Sequence, residues 1–65
     1  MNAQPTLLDL REDVIQVRAL HRTGHATIDQ LYRAADAYIA ALREWRTRTG
    51  RAFPVPSRGY LLRAL

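Results

Sequence analysis

Six apolar residues, Ile28, Leu31, Ala35, Tyr38, Leu42 and Trp45, recur at alternating spacings of three and four. That period lines them up along one side of an α-helix. A β-strand, whose side chains alternate every two residues, would scatter them over both faces. With Tyr32 and Ile39 added, they fall within an arc of about 140° at 100° per residue. The segment therefore predicts a long amphipathic helix over about 27–49. Its start is marked by Thr27-Ile28-Asp29-Gln30, where the Thr hydroxyl and the Gln side chain satisfy exposed amides reciprocally. Gly50 supplies a stop. Ala34, Ala37, Ala40 and Ala41 raise helix propensity on the remaining faces, and Asp29 with Arg33, four apart, reads as a surface ion pair.

The same period appears earlier in the chain. Leu7, Leu10, Val14 and Val17 form a seam at spacings of three, four and three, which is a heptad pattern. Thr6 followed by Asp9 is an N-cap signature, and acids fill the first turns as the helix dipole favours. These signals predict a helix over about 6–22, with residues 1–5 as a flexible N-terminus. Leu8, Ile15 and Ala19 make a second apolar strip beside the seam, and Arg11 and Arg18 lie between the two strips. A helix with two apolar strips is expected to touch more than one neighbour. Gly24 suits a left-handed C-terminal cap.

A short link between two heptad-bearing helices implies an antiparallel hairpin. At about 1.5 Å per residue the first helix is roughly 25 Å long and the second roughly 33 Å. The second therefore overhangs at its far end, and Trp45 lies on that overhang. Phe53-Pro54-Val55-Pro56 cannot continue a helix, since each proline lacks a donor and disfavours helix in the residue before it. Ser57 can cap a last short helix, about 57–65. Folded back, this tail would cover Trp45 and Leu42 with Phe53, Val55, Tyr60 and Leu61 and leave its arginines in water. Alternatively it packs on a second copy of the chain.

The expected fold class is all-α: one small helical domain over 1–65, a hairpin with an extended Pro-containing link and a closing helix. Sixty-five residues without cysteine bury little surface and have no disulfide to add. Association with a partner is a common remedy at this size. Two hairpins joined in a dimeric helical bundle would bury every strip, so a homo-oligomer, a dimer first, is expected. The oligomer and core seam is Leu7, Leu10, Val14, Val17, Ile28, Leu31, Ala35, Tyr38, Leu42 and Trp45.

Chemistry is sparse. His21 and His25 are four apart, but Gly24 interrupts the helix between them and no third ligand is evident. The glycines stand alone at 24, 50 and 59, so there is no phosphate-cradling loop. Ser57 has no base beside it in sequence, and its expected task is capping. Tyr32, Tyr38 and Trp45 lie at buried-face spacing and read as core. The chain is accordingly read as non-enzymatic, with no catalytic residue, cofactor, metal or small-molecule substrate. No apolar run approaches the roughly 18 residues of a membrane span. The start lacks the basic region of a secretory signal. A cytoplasmic location is the resulting expectation.

Charge layout is the one feature that suggests a function. All ten basic residues are arginine. Residues 1–42 carry four of them against five carboxylates. Residues 43–65 carry Arg43, Arg46, Arg48, Arg51, Arg58 and Arg63 against Glu44 alone. Compositional bias can explain missing lysines, but not why acids avoid the end of the chain. Cations near a helix C-terminus are favoured by the dipole. Beyond that, the six arginines form a candidate basic surface for an acidic protein partner or for phosphates, which the guanidinium fork binds bidentately. The first expectation is an interaction and regulatory protein that associates with itself and contacts a protein partner. The alternative is a nucleic-acid-binding regulator.

Arg46-Thr47-Arg48-Thr49-Gly50-Arg51 followed by Ser57-Arg58-Gly59-Tyr60-Leu61-Leu62-Arg63-Ala64-Leu65 is similar to the helix–turn–helix stretch of ribbon–helix–helix repressors and antitoxins. The likeness covers about the last twenty residues and implies a DNA-linked role. The chain departs from that pattern in its inserted Ala52–Pro56 segment and in its long preceding helix, with no DNA-reading strand ahead of it.

Overall fold

The computed structural model describes residues 5–65, so most of the expected flexible N-terminus lies outside the described residues. Three helices follow in order, α1 (Leu7–Arg22), α2 (Ile28–Thr49) and α3 (Arg58–Ala64), with no strand among the described residues. α1 packs against α2, and α3 packs against α2. None of the helices is long and apolar enough to cross a membrane.

Each boundary is set locally. Thr6 and Thr27 both build the full reciprocal cap, with Asp9 and Gln30 as their third-position partners. α1 ends in a Schellman motif: the amide of His25 donates to Leu20 at 2.8 Å and that of Gly24 to His21 at 3.1 Å. Gly24 takes φ +80° to allow it, a conformation that costs a residue with a Cβ. Gly50, at φ +70°, closes α2 in a similar way, its amide donating to Arg46 at 3.0 Å. Ser57 accepts from the Tyr60 amide at 3.3 Å and starts α3.

α2 serves two neighbours, one along each edge of its apolar arc. Towards α3, Ala35, Ile39 and Leu61 form a buried cluster, with Tyr38, Val55, Leu62 and Leu65 packed around it. Towards α1, Leu31 and Ala34 are buried, and so is Val14 on the α1 side. The expectation that Ala34 occupies a non-core face is corrected here. At 100° per residue it stands on the same flank as Ala41, which faces Leu7 and Leu8 of α1, and two small residues there let the helices approach. Ile28, placed in the seam by spacing, is 43% exposed, because it opens α2 at the corner where the chain turns.

The tail folds back within the chain, but its register differs from the sequence expectation. Phe53 reaches Trp45, with ring centroids 5.5 Å apart. Leu61 instead lies on Ala35 and Ile39, and Tyr60 is 61% exposed. The link explains this. Four extended residues at about 3.1 Å each travel roughly 12 Å back along α2. That is about eight helical residues at 1.5 Å rise, which carries α3 from the level of Trp45 to that of Ala35–Ile39. The second apolar strip of α1 also finds a neighbour, since Leu65 stands beside Ile15 and Ala19 around a hollow of about 130 Å³.

Candidate functional site

The open end of the hairpin brings the first turn of α1 beside the last turns of α2. Between them lies a groove of about 440 Å³. Pro5, Thr6, Leu7 and Leu8 form one wall; Ala41, Glu44, Trp45 and Arg48 form the other. Antiparallel packing makes this meeting unavoidable, and Trp45, expected on an overhang beyond α1, instead faces its first turn and is half-buried. Leu8 is 64% exposed at the lip. An adjoining open hollow is lined by Arg46, Ala52, Phe53 and Pro54.

The six arginines divide into distinct settings. Arg46 donates to the carbonyl of Phe53 at 3.3 Å and holds the link against α2. The Arg51 guanidinium stands 6.0 Å from the centre of the Trp45 ring, at the outer limit of a cation–π contact. Arg48 lines the groove. Arg43 and Arg63 are exposed. Arg58 keeps a solvent-exposed side chain but is also engaged: it stacks 4.0 Å over the Tyr32 ring and pairs with Asp36 at 3.4 Å. Arg58 thus sits about two to four helical turns up α2 from Arg43, Arg46 and Arg48, and fastens α3.

Among the described residues the ion pairs are Arg11–Glu12 at 3.7 Å and Arg58–Asp36. Asp29 and Arg33 do not pair, consistent with the small return on an exposed pair; Asp29 stands in the first turn of α2, where the dipole favours a carboxylate. Arg43, Arg46, Arg48 and Arg51 therefore face no carboxylate partner within 4.0 Å, and Glu44 is the only acid in that stretch. Thr47 and Thr49 donate their hydroxyls to the carbonyls of Arg43 and Trp45, at 3.1 and 2.8 Å. The end of α2 is left as a surface with apolar aromatic flooring and unneutralised positive charge.

The remaining candidates are dispersed. Leu7, Leu10 and Val17 are partly buried around the fully buried Val14, and Tyr32, Tyr38 and Leu42 are partly buried along α2. Nδ1 of His25 bonds the Thr23 hydroxyl at 2.8 Å. No group of three metal-ligating side chains occurs among the described residues. Two participants escaped the sequence reading. Arg18 reaches the Leu65 carbonyl, a role hinted at only by its place between two apolar strips. Leu8 stands about two turns from Ile15, where Leu65 reaches the second strip, and is left exposed.

No family model matches the chain, and neither a curated protein nor a solved structure matches it. The segment similar to ribbon–helix–helix proteins forms the capped end of α2, a seven-residue link and α3, with no strand among the described residues.

Proposed function

We propose that this chain is a small non-enzymatic interaction module that associates with itself and presents the Arg-rich end of α2 to an acidic protein partner. The observation that carries the reading is the set Arg43, Arg46, Arg48 and Arg51, gathered at one helix end without a carboxylate partner. Such a charge excess draws anionic partners and speeds their encounter. Half-buried Trp45 and Phe53 beneath it offer the aromatic contact area that is enriched at interfaces.

Self-association is supported by exposed apolar side chains. Leu8, Leu20, Ile28 and Tyr60 are 64, 47, 43 and 61% exposed, and a second copy in a dimer covers apolar surface that the three helices leave open.

A second reading, a nucleic-acid-binding regulator, is favoured by the same guanidiniums, because they suit phosphates equally well. A salt titration separates the two. Duplex binding weakens with a log–log slope near −0.9 for each neutralised phosphate. The primary reading expects no retention on DNA at about 50 mM salt and a mass in solution unchanged by added DNA. Strong retention with a steep slope would replace it with the second.

A further inference from the structure

The groove at the open end of the hairpin has a built-in occupant of matching chemistry. Leu7, Ala41 and Trp45 line it together with Glu44 and Arg48. At its lip the same chain exposes Leu8 to 64%. Glu12 follows Leu8 by four residues, so the two share one stripe of α1, and Asp9 adjoins them. The patch thus carries an apolar knob beside carboxylates and a hole in which apolar side chains adjoin Arg48, all at one end of one molecule. Resting on the self-association proposed above, we infer that the groove side of this end is the dimer interface, which leaves exposed Arg43, about 140° round α2 from Arg48, to the acidic partner. Leu8 of each copy enters the groove of its partner, and Glu12 of each meets Arg48 across a two-fold axis.

Two observations support a second copy as the occupant. The first is charge complementarity, since α1 opens with Asp9, Glu12 and Asp13 while the end of α2 carries Arg43, Arg46 and Arg48 against Glu44 alone, with Arg51 just beyond it. The second is closure. Knob and hole lie at the same end, so a two-fold operation satisfies both and leaves no open patch to propagate a filament.

The test is sedimentation of the full chain with the substitutions Leu8→Arg, Glu12→Arg and Arg48→Glu, each at an exposed side chain and each checked for retained helicity. Leu8→Arg is expected to weaken the dimer at least about tenfold. Glu12→Arg and Arg48→Glu, each alone, are expected to weaken it by a similar factor. An equimolar mixture of those two recovers a heterodimer within about threefold of the wild-type affinity, because each reversed charge then faces its opposite. A wild-type dimer indifferent to all three substitutions overturns this interface while leaving self-association standing. A wild-type chain that stays monomeric at roughly 200 µM overturns both.

Discussion

The Arg18 guanidinium donates to the carbonyl oxygen of Leu65, 47 positions further along the chain. α1 and α3 each lean chiefly on α2, so this bond closes a triangle that packing leaves open. It also accounts for an arginine held half-buried between two apolar strips. The stem lies among Ile15, Ala19 and Leu65, and the head finds an acceptor there.

Arg18→Met keeps the apolar stem and removes the donor. The expected loss is about 1–2 kcal/mol, the range for a hydrogen bond to a charged group. A lowered urea midpoint measures it. Amide exchange in α3 should quicken more than in α2, since α3 loses its only polar tie to α1. Unchanged α3 exchange would mean that apolar contact alone seats the helix.

Glycines 24 and 59 predict opposite outcomes for one substitution. Nothing lies within 4 Å of a Cβ built at either site, so sterics with neighbours drop out and backbone conformation decides. Gly24 holds φ +80°; Gly24→Ala should destabilise by about 1–2 kcal/mol. Gly59 sits inside α3 with ordinary helical φ, and Gly59→Ala should stabilise by about 0.5–1 kcal/mol through lost unfolded-state freedom. Thermal midpoints moving in opposite directions are the expected result.

The contrast between caps and tail shows what could be read from the sequence. Thr6, Gly24, Thr27, Gly50 and Ser57 fix helix ends through partners at most four residues away, so the boundaries were legible to within a residue. The landing point of α3 depends on how far an extended link carries it, and apolar spacing is silent about that length. Hence Leu61 meets Ala35 and Ile39, and Tyr60 faces out. The six arginines followed the same rule. Their sequence clustering gave the charge excess at the end of α2, but the docking of α3 removed Arg58 to Tyr32 and Asp36.

The Arg58–Tyr32 stack should be measurable as a coupling. Both side chains stay partly exposed, so the pair with Asp36 contributes little, and the guanidinium–ring contact at 4.0 Å carries most of the effect. A double-mutant cycle with Arg58→Leu and Tyr32→Leu should give about 0.5–1 kcal/mol of interaction energy. Moderate salt should leave most of that energy intact. A coupling near zero would assign the seating of α3 to Leu61, Leu62 and Leu65 alone.

Trp45 is the only tryptophan in the chain, so its fluorescence reports the open end of the hairpin without ambiguity. Phe53 covers one side of the indole at 5.5 Å, and the start of α1 lines the other. Phe53→Ala removes the first cover and should shift emission to the red, with a stability loss of about 2 kcal/mol from area and ring pairing together. Phe53→Leu keeps most of the area and loses the ring, so it should lose only about 0.5–1 kcal/mol with little spectral change. The Arg46 bond to the Phe53 carbonyl survives both substitutions, because it uses backbone. An Arg46→Ala variant that red-shifts Trp45 as far as Phe53→Ala would therefore show that this bond, and not the ring, positions the link over the indole.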